Sequence, residues 1–479
     1  MATSSSGPGS GSITDAVRTD AAAHDLSFGA LVGRGLDIDA FLADYFAHTG
    51  VDGIRTVTLA LGRAPVEVEP FEMVEGIGAL ESLKSCAGAV QAEITCAHVD
   101  AVTADRTERG VRVKHPRWGI GGDVAIARHE PPRSGVEYVN FCQLLVSGLP
   151  FTLQGLKYGV VNEAEARIIY RETRHLDAAA RTEIDARLFT DVHTCFGLGG
   201  IKLASMIRHW ALAYASDTET EVAAKAMKDR YVNIYPLDAH RMKLVGILPT
   251  EYGVAIAQVL ARETGHAQAA GDVRNSAQVA ADTVLEALTG VSDPSNFPVQ
   301  LSLVMTDRTL YQGHSEPAYL QGYGIISAQK ARELFVGNPA NPLDSWLRRL
   351  YTAPGTGDLV AMDQKARLFT GGLKKFITVR DQFCRTPYCG GRIQHLDHIV
   401  QSARGGETRV ENASSRCAWC NATKEAPGWE EAPVPGGRHT LRVTTSSRHV
   451  HTSMAPPMPG TDIYPVQPVS PPPPPHRRQ

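Results

Sequence analysis

The chain has no long apolar run, little net charge and few cysteines for its 479 residues. Its most apolar stretch, around Tyr138–Leu153, is interrupted by Asn140, Gln143, Ser147 and Pro150, which excludes an unbroken membrane span. The opening MATSSSGPGSGS has neither a charged n-region nor an apolar h-region, so no signal peptide is expected. A formal net charge of -3 excludes a basic coat over the whole surface. It leaves room for a local basic patch, which is all that phosphate contacts need. Eight cysteines in a chain this long do not make a disulfide framework. Four of them, Cys86, Cys96, Cys142 and Cys195, are scattered singly and read as buried reduced thiols. A cytoplasmic protein is expected, where thiols stay reduced.

The balance of 43% hydrophobic and 21% charged residues is that of a soluble globular protein. The length exceeds one ordinary core and implies two or three folded units with tails. Residues 1–30 begin in Ser and Gly and are expected to be disordered. From Asp37 the pattern is helical: Ile38, Phe41, Leu42, Tyr45 and Phe46 share a face, and Val74, Ile77, Leu80, Leu83, Val90 and Ile94 recur over Phe71–Val102. Further helices are expected over Tyr138–Ser147, from Asn162 as a cap, and over Thr250–Thr264, Asn275–Thr289 and Ser327–Phe335. Tyr231–Tyr235 and Met242–Gly246 read as paired strands around a turn at Pro236–His240, and Val299–Met305 as a strand. Pro317–Ile326 reads as a loop. The fold expected for 31–355 is therefore mainly α with a few short strands. Residues 431–479 turn to Pro, Gly, Ser and Thr and end in Pro471–Pro475; a flexible, partly polyproline-II tail is expected, with a protein partner as its one functional option.

Between these regions the chain concentrates its chemistry. Cys384 and Cys389 form a C-x4-C pair, and Cys417 and Cys420 a C-x2-C pair. Two such pairs can wrap a structural Zn²⁺, because four thiolates bind it tightly and leave no open position. Between them stand Asp397-His398 and Asn412, with Asn421 and Lys424 just beyond. Asp and Asn offer hard oxygen ligands, and imidazole takes a proton near neutral pH. A closed clamp around a small metal-dependent site points to a nuclease. Lys374, Lys375, Arg380, Arg385, Arg392, Arg404, Arg409, Arg416 and Lys424 supply its local basic patch, with Arg380, Arg392, Arg404 and Lys424 as the candidate phosphate contacts.

The ordered set of two cysteine pairs, Asp-His and Asn over Lys375–Trp429 resembles the HNH endonuclease signature, the zinc-stapled ββα-metal fold. The resemblance implies a nuclease domain over 365–430. In it His398 is the general base, and Asp397 and Asn421 hold a catalytic Mg²⁺ or Mn²⁺. Asn412 steadies the hairpin that carries the base. The last signature position is usually His; Asn421 gives an H-N-N pattern, whose amide oxygen suits Mg²⁺ or Mn²⁺. Ala318–Ile326, Trp346–Thr352 and, more weakly, Val273–Asp282 resemble the bacterial family catalogued as domain of unknown function 222, whose members commonly carry a C-terminal HNH segment. Arg385–Cys389 and Lys424–Trp429 are similar to that segment. The expectation is a DNA endonuclease behind a helical domain; the alternative is an inactive zinc-containing nucleic-acid-binding or regulatory protein. Oligomeric state is not readable from the sequence.

Overall fold

The structure is a computed structural model. It describes residues 38–63, 69–190, 198–214, 224, 227–238, 240–291, 302–336, 350–352, 359–362, 369–401, 404–407 and 409–460. The expected N-terminal tail, Cys195, Trp346–Arg349 and the run Pro471–Pro475 lie outside the described residues. The chain divides into two compact units, Met1–Leu80 and Glu81–Gln479. The described part is mainly helical with a few short antiparallel strands. Among the described residues no helix is long and apolar enough to cross a membrane.

The first unit holds α1, Ile38–Leu61, which breaks at Gly50 where φ is 51°. Helix α2, Pro70–Glu108, begins there and runs on into the second unit. Within the second unit its expected apolar face is not the buried one. Leu83, Val90 and Ile94 are exposed, while Ser85, Ala89, Ala92, Thr95 and Val99 are buried. Small side chains let the neighbouring helices approach closely, so the larger apolar residues are left outside.

Six helices follow: α3 Ile120–Ala127, α4 Ser134–Gly148, α5 Pro150–Lys157, α6 Glu163–Thr173, α7 Ala178–Leu188 and α8 Gly200–Leu212. Their core runs through Ile120, Phe141, Leu145, Leu149, Leu156, Ile169, Ile184, Leu188, Leu203 and Ile207. Asn162 caps α6 with a reciprocal capping box to Glu165, as its sequence position implies. Asp185 is buried and accepts from Phe151 N (2.8 Å) and Thr152 N (3.1 Å), closing the start of α5 from a distant helix.

Strands β1, Tyr231–Asp238, and β2, Arg241–Ile247, form the expected hairpin, but pairing continues to Asp238↔Arg241 and shortens the turn. Helices α9, Thr250–Ala269, and α10, Ser276–Thr289, follow, the second capped by Asn275. Next come β3 Leu303–Val304, α11 Asp307–Tyr311, β4 Ala318–Leu320, β5 Gly324–Ile326 and α12 Ala328–Val336. Residues 318–326 were expected as loop; they pair as a hairpin, Ala318↔Ile326, whose Ala318 and Ile326 bury against Ala331 of α12. Of the expected strand Val299–Met305, residues 302–305 are described, and only Leu303–Val304 pair as β3. Strands β6 Leu350–Thr352 and β7 Leu359–Met362 lead to α13, Phe369–Asp381. Tyr319 of β4 donates its hydroxyl to Gln382 O (3.3 Å) at the end of α13 and meets Phe383 edge-on.

The remaining elements build the site: β8 His395–His398, β9 Ala413–Arg416, α14 Ala418–Thr423, β10 Glu430–Val434, β11 Thr440–Thr444 and β12 Val450–Met454. The last three form an antiparallel sheet in the order β10-β11-β12. This corrects the expectation of a disordered tail from 431: residues 430–454 are structured, and Leu441 and Val443 are fully buried. They pack with Ile126, Ile399, Ala426 and Trp429 in one core that α3 shares with the site. Arg106 of α2 ties the same corner, donating to Pro116 O (2.9 Å), Trp118 O (3.0 Å) and Pro427 O (3.3 Å). Gly119 enters α3 at φ 85°, and a Cβ there would sit 2.5 Å from Ala426 Cβ; only glycine serves both needs.

Candidate metal centre and active site

Strands β8 and β9 pair antiparallel in the register His395↔Arg416, Leu396↔Ser415, Asp397↔Ser414 and His398↔Ala413. Helix α14 follows and packs on both, so the segment is a two-stranded hairpin closed by a short helix.

The four motif cysteines converge at one end of it. Their sulfurs all lie within 4.8 Å of one another. Cys389 and Cys417 Sγ are 3.8 Å apart, close to the spacing of about 3.8 Å set by two 2.3 Å bonds from a tetrahedral ion. Two ligands come from the turn Cys384–Cys389 and two from the N-terminus of α14, where Cys417 is the N-cap and accepts from Cys420 N. That helix end favours thiolate. Hydrogen bonds from Cys389, Cys417 and Cys420 hold the Cys384 thiol well below its ordinary value. The cluster can hold a structural metal such as zinc. It is the one group of three or more Cys, His, Asp or Glu side chains so arranged among the described residues.

At the other end of β8, Asp397 and His398 project in alternation. Asp397 Oδ1 accepts from His398 N (2.8 Å), and Asp397 Oδ2 lies 2.9 Å from Lys424 Nζ. Lys424 Nζ also donates to His398 O (2.9 Å) and approaches Glu425 Oε1 at 3.4 Å. Asn412 binds the loop beyond β8: its Oδ1 accepts from Val400 N (2.8 Å), and its Nδ2 donates to Val400 O (3.0 Å) and Glu407 O (2.9 Å). The loop can close this tightly because residue 406 is glycine; a Cβ there would collide with Val400 O. Asn421 lies on α14, and its Oδ1 is buried without a hydrogen-bond partner. An unpaired buried acceptor is costly and is the feature a bound cation or donor would relieve.

Two candidate phosphate contacts are elsewhere than expected. Arg380 is buried: it pairs with Asp381 (2.8 Å) and donates to Val410 O (2.7 Å) and Ala413 O (2.6 Å). Lys424 is buried too, committed to Asp397 and His398 O. Arg385 and Arg416, counted in the basic patch, are interior as well. Arg392 and Arg404 are exposed, as are Lys374, Lys375 and Arg409, so the accessible patch is about half the expected one. Arg404 lines a cleft of about 210 Å³ with Gln401, Lys424, Glu425 and Trp429.

The buried arginines join the hairpin to the C-terminal sheet. Burial disfavours the Asp381 carboxylate, but Arg380 and Arg385 hold it below its ordinary range, and Ser415 N donates to it (2.8 Å). Arg385 also donates to Ser453 O (2.5 Å) and His439 O (3.1 Å). Arg416 donates to Thr386 Oγ1 (2.6 Å) and Glu431 Oε2 (2.6 Å). Burial alone would lower Arg416, yet Glu431, Cys384 and Cys420 hold its guanidinium up. Asp381 and Glu431 were missed in the sequence. The alternation of Thr440–Thr444 was the available signal that a further strand pair follows the motif.

His439 adds a pH dependence. Its Nδ1 faces Arg385 Nη1 (3.1 Å) and its Nε2 faces Glu411 O (3.0 Å), so the ring is neutral with its proton on Nε2. Burial, and then Arg380, push it from the ordinary 6.5 down to about 4. From pH 6.5 to about 4 the unfolded chain takes up a proton that the folded ring refuses. Stability from this group is therefore complete above 6.5, falls with pH through that window and levels off below it. Urea unfolding at pH 7 and pH 5 is expected to show a smaller acid loss in His439→Gln than in the wild type. An equal loss would remove His439 from the account.

No protein-family model, curated protein or solved structure matches the chain.

Proposed function

We propose that the protein is a metal-dependent DNA endonuclease that hydrolyses phosphodiester bonds at Asp397, His398, Asn412 and Asn421. The observation that carries this reading is the partnerless buried Oδ1 of Asn421 on the helix packed against the Asp397–His398 strand. Asp397 and Asn421 would hold Mg²⁺ or Mn²⁺, two oxygen donors of the kind these hard cations take. The bound cation would neutralise phosphate charge and the departing 3′ oxygen. His398 takes the proton from the attacking water. Asn412 positions the residues after β8 through its three hydrogen bonds. Arg392 and Arg404, both exposed, would contact the phosphate backbone. Incubation of the full chain with supercoiled plasmid and Mg²⁺ or Mn²⁺ tests this: metal-dependent nicked or linear product is expected. No product across a metal titration would refute it.

A nucleic-acid-binding or regulatory protein without cleavage is the second reading. The ion pair between Lys424 and Asp397 favours it, because the carboxylate is already neutralised by a cation of the chain itself.

In both readings the four cysteines hold one structural zinc. Purified protein is expected to contain about one zinc per chain, retained when Mg²⁺ is removed, because a closed thiolate shell exchanges slowly and contributes directly to folding. Metal analysis finding none, or Cys417→Ser folding and melting like the wild type, would contradict this.

A further inference from the structure

Resting on the metal-dependent reading above, we infer that Lys424 and a divalent cation compete for Asp397, so this lysine sets the metal affinity of the site. Both carboxylate oxygens of Asp397 are engaged, Oδ1 by His398 N at 2.8 Å and Oδ2 by Lys424 Nζ at 2.9 Å. A hard divalent ion needs an oxygen at about 2.1 Å. With the ammonium still on Asp397, two cations would stand within a few ångströms of each other, one of them largely out of water. The Lys424 side chain is 6% exposed and Asp397 31%, so this pair is screened far less than a surface pair.

The structure also provides the place to which the ammonium goes. Glu425 Oε1 lies 3.4 Å from Lys424 Nζ, and Gln401 Nε2 donates to the same carboxyl group. A small swing of the lysine end moves it from Asp397 to Glu425 without leaving a buried charge unpaired. Its other bond, to His398 O, anchors it on the Asp397–His398 strand during the exchange. The metal then gains Asp397 against an internal competitor, and its apparent affinity is reduced by the strength of the ion pair it displaces.

Mn²⁺ binding to the full-length chain, without DNA, tests this through the paramagnetic resonance signal of free Mn²⁺. Lys424→Met is expected to bind Mn²⁺ about tenfold more tightly than the wild type, roughly 1.4 kcal/mol. Lys424→Gln, which keeps a donor for His398 O, should do the same and serves if the methionine variant fails to fold. Lys424→Arg retains the competing charge and should match the wild type. Adding Asp397→Asn to Lys424→Met should abolish the gain, placing it at this carboxylate. Equal affinity of the wild type and the two neutral variants would overturn the exchange and leave the metal site standing. Absence of Mn²⁺ binding by every variant would overturn the site and the exchange together.

Discussion

His398→Ala is expected to lose most plasmid cleavage, on the order of 10²–10⁴-fold for the loss of a general base. The backbone at this position is held independently of the ring: His398 N donates to Asp397 Oδ1, and His398 O accepts from Lys424. Its partner across the hairpin is Ala413, and the cysteine cluster forms from Cys384, Cys389, Cys417 and Cys420. Removing the imidazole should therefore leave zinc content, thermal unfolding and DNA binding near wild-type values. The loss then reports chemistry and not folding. Comparison needs matched salt, since phosphate binding alone varies steeply with ionic strength. Equal cleavage by the wild type and His398→Ala across Mg²⁺ and Mn²⁺ titrations would end the proposed mechanism.

Glu431→Ala should destabilise the protein by about 3–5 kcal/mol, the range for breaking a buried ion pair from one side. Arg416 is fully buried, and the Glu431 carboxylate lies 2.6 Å from its Nη2. Burial pushes the Glu431 carboxyl above its ordinary value, while Arg416 and Lys424 draw it back. Without Glu431 the guanidinium keeps Thr386 Oγ1 but has no counter-ion on β10. Arg416 sits immediately before the zinc-cluster residue Cys417, so the damage should extend to zinc retention. Urea unfolding with zinc quantified in parallel measures both. Replacing both partners, Arg416→Met with Glu431→Leu, should recover much of the loss, because no buried charge is then left unpaired. A Glu431→Ala variant within about 1 kcal/mol of the wild type would show that the last sheet is dispensable to the hairpin.

The candidate site was legible where chemistry depends on spacing along the chain. C-x4-C and C-x2-C announce a four-sulfur cluster because each pair sits on a tight turn or helix start, and the four sulfurs do converge. Asn162 was legible as a helix cap because a cap acts within three residues of itself. What failed were inferences that needed to know what lies above a side chain. Arg380, Arg385, Arg416 and Lys424 look like surface cations in sequence, and each is buried against a carboxylate or carbonyls up to 68 residues away. The apolar stripe of α2 failed likewise, since the helix turns its alanines inward.

Sequence alone therefore determined the local devices: the cysteine clamp, the Asp-His pair, the Asn162 cap and the β1–β2 hairpin. Each arises from residues within a few positions, or from short motifs whose chemistry admits few arrangements. Tertiary structure alone decided which cations face solvent, that Lys424 rests on Asp397, and that residues 430–454 and α3 complete the core around the hairpin. Those outcomes depend on pairing and burial between distant segments, 323 residues apart in one hydrogen bond. Charge pairing of that kind is invisible to composition and periodicity, because a buried arginine and an exposed one are the same letter until the carboxylate that neutralises it is brought alongside.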